Sequence, residues 1–290
     1  MKKVLITGAS GFLGHLLVKS FVERGDTQII AILGRPEDKV NSLPHTDKLM
    51  VYPCSVLFST DFGHVDTLIH TAFSRGDNLP GLARSIELSK QIIELVNRHN
   101  IDSIINISSQ GIYKGLKPGE KVDENGFVEP NTAYGLAKWA VENLLSIGCQ
   151  KKYTNIRMAS LSSNARFLDF FVDCVVAGKD ITVTAPYQFA SIMDVTDAVA
   201  GIIGIESLDI DKREITYNLG PGTQYSILDF AETANEFGRR FGYTPVSIKV
   251  DDKGNNFAIC MDCRKIIEQT GWEPIVTKAN MFLNMFNQKR

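Results

Sequence analysis

The chain has 290 residues, enough for one large domain or a main domain with a smaller lobe. Hydrophobic residues make up 44% and charged residues 22%, and a formal net charge of −2 gives no electrostatic case for nucleic acid or an anionic membrane surface. No apolar run approaches the roughly 20 residues that span a bilayer; Gly8 interrupts the opening Val4-Leu5-Ile6-Thr7 too early for a signal peptide, so a cytoplasmic protein is expected.

Lys2 to Thr7 is a short apolar run that predicts a buried parallel strand. Gly8-Ala9-Ser10-Gly11-Phe12-Leu13-Gly14 follows, and a helical pattern runs from Leu16 to Arg24. Glycines between a strand and a helix permit a tight turn, let backbone approach a pyrophosphate, and allow close helix–strand packing. The helix start then offers free N–H groups and a positive dipole end to the anion. This is the pattern of a dinucleotide site.

Gln28 to Leu33 predicts the second strand. An NAD-specific site usually ends this strand with an acid for the ribose 2′-hydroxyl. Here Leu33-Gly34-Arg35-Pro36 carries none, and Arg35 could face a 2′-phosphate, which favours NADP over NAD. Further strands are expected at Leu49–Tyr52, Val65–His70, Ser103–Ser108 and Thr154–Met158, with a long amphipathic helix from Leu82 to His99. The strand ending at His70 runs into Thr71-Ala72-Phe73, and the one ending at Ser108 into Ser109-Gln110-Gly111. Strands alternating with helices predict a doubly wound, mostly parallel α/β sheet, with ligands at the carboxyl ends of its strands.

Tyr134-Gly135-Leu136-Ala137-Lys138 opens a helix. Residues four apart share one helical face, so the phenol and the ammonium stand close together. A nearby positive charge favours phenolate, which predicts a tyrosine pKa drawn down from about 10 toward the range useful to a general acid/base.

Beyond Met158 the alternation loosens. Helices are expected at Phe167–Ala177, from an Asp194 N-cap to Ile205, at Ser226–Arg240, and near Cys263–Gln269 and Thr277–Asn287. Short strands are expected at Ile181–Thr184, Phe189–Met193, Glu214–Leu219 and near Val246. Residues 1–163 are read as an NAD(P)-binding Rossmann domain and residues 164–290 as a smaller substrate-binding lobe interleaved with it. Cys54, Cys149, Cys174, Cys260 and Cys263 form no disulfide framework, and Cys260-Met-Asp-Cys263 lacks the further ligands of a zinc site.

Taken together these motifs resemble the extended short-chain dehydrogenase/reductases, in particular the NAD(P)-dependent epimerase/dehydratase family. The resemblance rests on Thr7–Gly14, Ile69-His70-Thr71-Ala72, Ser108–Tyr113 and Tyr134–Lys138, and continues through Ile192–Ala200 and Tyr217–Gly220. It implies an NADP or NAD cofactor lined by Gly8, Ser10, Gly11, Phe12, Leu13, Gly14, Arg35, Thr71, Ala72, Tyr134 and Lys138. It also implies a catalytic set in which Tyr134 is the acid/base. Lys138 depresses its pKa and bonds the nicotinamide ribose, while Ser109 bonds the substrate hydroxyl or carbonyl. The implied substrate is a nucleotide sugar or a related hydroxy/keto compound, and the implied assembly a homodimer built on the Tyr134 helix and the helix before Ser103.

Three departures narrow the expectation. Gln110-Gly111 stands where the family's dehydratases carry an acidic pair, which disfavours a 4,6-dehydratase and leaves an epimerase or a reductase. Cys54-Ser55-Val56 lacks the family's adenine-binding aspartate, and Arg157–Ser163 departs from the usual substrate-side segment. An NADPH-dependent carbonyl reductase of a non-sugar substrate and a non-catalytic redox sensor are the alternatives. His70 is read as structural, and Trp139 as packed in the core or at a subunit contact.

Overall fold

A computed structural model describes residues 1–34, 43–76, 78–254 and 258–289. The expected strand–helix alternation is present. In chain order, β1 (Lys2–Thr7), α1 (Phe12–Arg24), β2 (Thr27–Leu33) and β3 (Leu49–Pro53) form one wing. The other wing is β4 (Val65–His70), α2 (Leu79–Arg98), β5 (Ile101–Ser109), α3 (Ala133–Gly148) and β6 (Lys152–Met158). The remainder runs β7 (Ser160–Leu161), α4 (Arg166–Val176), β8 (Ile181–Val183), β9 (Phe189–Ala190), β10 (Ile192–Met193), α5 (Val195–Ser207) and β11 (Thr216–Leu219). It ends with β12 (Tyr225–Ser226), α6 (Ile227–Arg240), β13 (Ile248–Val250), α7 (Arg264–Thr270) and α8 (Lys278–Asn287).

Among the described residues, seven strands make one sheet in the order β11-β6-β5-β4-β1-β2-β3, and every pairing in it is parallel. Val4, Leu5, Ile6, Ile29, Leu68, Ile69 and Ile105 are essentially sealed from solvent, as strands covered by helices on both faces require. After β3 the chain crosses back to lay β4 beside β1. The order therefore reverses between β1 and β4, and ligands of such sheets bind at this kind of reversal.

Two apolar clusters cover the two faces of this sheet, and both α5 and β11 belong to one of them. A further cluster is built from α4, β8, α6 and α8, with Phe171, Phe230, Phe282 and Phe286 at its centre. The chain thus leaves the main sheet after β6, returns to it through α5 and β11, and leaves again. Among the described residues no helix is long and apolar enough to cross a membrane.

Local chemistry moved several boundaries. Helix α2 starts at Leu79 rather than Leu82, because the Asn78 side chain accepts from Gly81 N and Pro80 sits in the first turn. The single strand expected over Phe189–Met193 is two: β9 pairs with β12, whereas β10 pairs with β7 in a different ribbon. Val246 precedes its expected strand, since the Asn235 amide takes both its N–H and its carbonyl; β13 begins at Ile248 and pairs with β8. Asp194 caps α5 as expected, accepting from Thr196 N. Trp139 is not in the core: it is 38% exposed on α3.

His70 ends β4 inside the protein. Its Nδ1 is 2.8 Å from Thr7 Oγ1 and its Nε2 3.0 Å from Ser89 Oγ, tying β4 to β1 and α2. Burial, helped by the charge of Lys138, lowers its pKa to about 3. The folded protein keeps this ring neutral where the unfolded chain, near 6.5, would protonate it, so stability falls as pH drops below about 6.5. Chemical denaturation between pH 6.5 and 5 should show this as a loss of roughly 1 kcal/mol per pH unit that His70→Gln removes. An unchanged slope in the variant would assign the acid sensitivity elsewhere.

Candidate active site

The bend from β1 into α1 is shaped by what side chains cannot occupy. Gly8 has φ +73°, and a Cβ there would lie 2.8 Å from the backbone N and Cα of Ala72 and 2.9 Å from Thr71 Oγ1. A Cβ on Gly14 would run into the Gly8 carbonyl. Gly11 caps α1 without any side-chain hydrogen bond, and the first turn holds no acid. The N–H groups at this helix start are thus left to an incoming anion, which fits a dinucleotide pyrophosphate.

Of the other residues expected at the cofactor, Ser10, Thr71 and Ala72 lie at this bend. Thr71 donates its hydroxyl to Thr7 O at 2.7 Å, holding Thr71-Ala72 against Gly8. Ser10 Oγ accepts from Gly34 N at 3.2 Å, tying the bend to the end of β2. Leu13 is buried, and Phe12 is 36% exposed. Arg35 lies outside the described residues.

The Tyr134 helix is set in place from both ends. Thr132 caps it by accepting from Gly135 N. Gly135 packs so closely on the Gly111 carbonyl that a Cβ could not be accommodated. Gly111 belongs to the turn just after β5, where Ser109 Oγ accepts from its N–H at 3.0 Å. The close approach of Gly135 to Gly111 therefore brings the start of α3 against the Ser109 turn.

Lys138 is only 4% exposed. Its Nζ donates to Ile107 O at 2.7 Å and lies 3.7 Å from the centre of the Phe73 ring and 5.7 Å from that of Tyr134. Phe73 and Tyr134 meet edge to face at 6.0 Å. Burial lowers the Lys138 pKa to about 7, with Glu142 opposing the shift. Burial also raises the Tyr134 phenol to about 12, and the positive group that offsets part of this is Arg75. This differs from the expectation that Lys138 alone draws the phenol down. The lysine's ammonium is committed to the Ile107 carbonyl and the Phe73 face, and removal from water outweighs its attraction.

Phe73, Arg75 and Asn164 are not marked by any sequence motif, whereas Gln110 is the residue already noted in place of the dehydratases' acid. Phe73 was read only as part of a strand-end segment, yet it is the wall against which Lys138 rests. Arg75, on the loop after β4, donates to Asn164 Oδ1 and joins the β4 loop to the segment after β7. Gln110 is buried and donates to Ser160 Oγ at 3.0 Å. Neither Arg75 nor Asn164 lies in a recognisable motif, so only the folded chain pairs them.

A parallel sheet whose reversal point carries a glycine bend and an uncapped helix start defines a Rossmann-type dinucleotide-binding protein. Residues 4–220 match the NAD dependent epimerase/dehydratase family, and the chain belongs to it. The dTDP-4-dehydrorhamnose reductase of Aggregatibacter actinomycetemcomitans is 28% identical over 147 residues, about half of each chain (50% and 47%). The dTDP-glucose 4,6-dehydratase of Streptomyces antibioticus is 22% identical over 306 aligned positions, covering 93% of this chain and 87% of the relative. In fold, the UDP-glucuronic acid 4-epimerase of Bacillus cereus, solved with UDP-glucuronic acid and NAD, superimposes with a TM-score of 0.81 at 18% identity, over 99% of this chain and all of the other (100%).

Replacing Gly8 by Ala should cost about 1–3 kcal/mol of stability through positive φ and the Ala72 contact, and should abolish dinucleotide binding in calorimetric titration. Retained affinity in a folded Gly8→Ala protein would show that the bend does not hold the pyrophosphate.

Proposed function

We propose that this chain is an NAD(P)-dependent epimerase or reductase of a nucleotide sugar or a related hydroxy/keto substrate. The observation that carries this reading is the buried Tyr134–Lys138 pair on the same sheet edge as the glycine bend. A sensor that only bound dinucleotide would gain nothing from burying an ammonium beside a phenol, which costs stability unless the charge is used.

In this reading the bend from Gly8 to Gly14 and the start of α1 hold the pyrophosphate, and Lys138 bonds the nicotinamide ribose. A bound nicotinamide supplies hydride acceptance and return and, when oxidised, a positive charge. Tyr134, held near 12, is protonated at neutral pH and starts as a proton donor to a carbonyl oxygen. Acting as base toward a hydroxyl requires more positive charge than Lys138 and Arg75 provide. Ser109 fixes the same substrate oxygen through its hydroxyl. Gln110 offers an amide, which cannot act as the extra acid that a 4,6-dehydratase needs, and its N–H is already given to Ser160. Similar proteins carry reductase, dehydratase and epimerase names, and the amide at residue 110 supports epimerase or reductase over dehydratase.

Tyr134→Phe should lower turnover of an identified substrate by about 10²–10⁴-fold while leaving dinucleotide affinity within a few-fold. Near-full turnover in the variant would remove Tyr134 from the acid/base role.

The cofactor and assembly follow from the same surfaces. No carboxylate ends β2 among the described residues, which supports NADP over NAD. Leu136, Trp139 and Ile147 are exposed at helical spacing on α3, which supports a homodimer through this helix. Native mass spectrometry should show a dimer carrying NADP. A monomer, or NAD alone after incubation with an equimolar mixture, would overturn the respective part. A cofactor that stays bound through purification points to an epimerase, and one that exchanges freely to a reductase.

A further inference from the structure

Behind Lys138 lies a buried ion pair that the proposed chemistry does not use. Glu142 sits one turn below Lys138 on α3 and is only 7% exposed. Arg157 on β6 reaches it with two nitrogens: Nη2 to Oε2 at 2.8 Å and Nε to Oε1 at 3.2 Å. Ser108 donates its hydroxyl to the same carboxylate. Neighbouring residues of β5 thus hold neighbouring turns of α3: the Ile107 carbonyl takes Lys138, and the Ser108 hydroxyl takes Glu142. Arg157 also donates to Tyr113 Oη at 2.9 Å and to Glu124 O at 2.9 Å, and the Tyr113 hydroxyl donates to Asn218 Oδ1 on β11.

A buried pair of this kind gives little net stability against an apolar replacement, so another role is expected of it. We propose that Glu142 and Arg157 are positioning residues that set the charge state of Lys138, with the carboxylate favouring the ammonium and the guanidinium capping how far it does so. The inference rests on the reading of Lys138 as a working group of the site.

The groups that bear on Lys138 come from three elements. His70 at the end of β4 is neutral above about pH 3. Tyr134 on α3 is neutral below about pH 12, and Arg75 acts on that phenol from the loop after β4. Arg75, which acts on Tyr134, Glu142, which acts on Lys138 directly, and Arg157, which reaches Lys138 only through its ion pair with Glu142, are the charges that remain where Lys138, lowered to about 7, titrates. Removing either Glu142 or Arg157 leaves the other uncompensated, so the two changes must act in opposite directions. Glu142→Gln leaves a bare guanidinium and disfavours the ammonium; Arg157→Met leaves a bare carboxylate and favours it.

The test is the titration of Lys138 in the full-length protein labelled with ¹³C-lysine, following its Cε resonance, which Lys138→Arg assigns by its disappearance. The wild type should titrate near 7. Glu142→Gln should move the midpoint down by about 1 unit and Arg157→Met up by about 1 unit, while Glu142→Asp keeps it within about 0.3. Midpoints that move together, or that stay within about 0.3 of wild type in both charge-removing variants, would overturn the proposal. Should Arg157→Met not fold, the contrast between Glu142→Gln and Glu142→Asp decides alone, since both disturb packing and only one removes charge. The titration needs no substrate, so it can fail while Tyr134-dependent turnover stands, and it can succeed where turnover survives Tyr134→Phe.

Discussion

An ammonium placed in the interior, with its proton given to a strand carbonyl and its flank against an aromatic face, is the constraint around which this fold is arranged. Taking a charge out of water is costly, and it is tolerated only where fixed dipoles replace the lost hydration. Lys138 finds one near the carboxyl end of β5, where its Nζ donates to Ile107 O. The helix can come that close because Gly135 lies on the Gly111 carbonyl without a side chain between them. The β5 turn, the start of α3 and the Phe73 loop must therefore fit at once.

The same edge of the sheet is built to attract negative charge without housing any. The start of α1 has no acid and no side-chain cap, and the glycines let its backbone lie open. His70 beside it is kept neutral by burial, and its hydroxyl partners on β1 and α2 hold the reversal point of the sheet together. Arg75 carries the positive character outward to Asn164, where the chain leaves the sheet for the second apolar cluster. A ligand with an anionic linker and a reducible or oxidisable end would be drawn along that line.

What could be read from the sequence was local. The glycine spacing and the Tyr134–Lys138 interval are short-range patterns whose geometry follows from one turn or one helix, and they appear where expected. The parallel sheet follows from alternation alone. Boundaries moved where a side chain claimed backbone groups, as Asn78 did for α2 and Asn235 for Val246. The Glu142–Arg157–Ser108 cluster joins residues 15 and 34 positions apart on three elements, and no interval marks it. Spacing also misjudged the phenol: it gives the distance to a cation but says nothing of burial, and burial decided the outcome. Arg35 falls outside the described residues, so the sequence remains the source of its assignment.

That outcome bears on how a proton could move here. A phenol pushed up to about 12 keeps its proton at neutral pH, while a lysine lowered to about 7 gives its proton up far more readily than an ordinary one. The two groups have been pushed toward one another from their ordinary values near 10 and 10.4, past the point of crossing. With the order reversed, the proton that is easy to lose belongs to Lys138, and the proton that is hard to lose belongs to Tyr134. Added positive charge in the cleft reverses neither burial term, but it favours phenolate over phenol and neutral amine over ammonium. In the proposed role, proton release at this site is thereby tied to the charge of what occupies it.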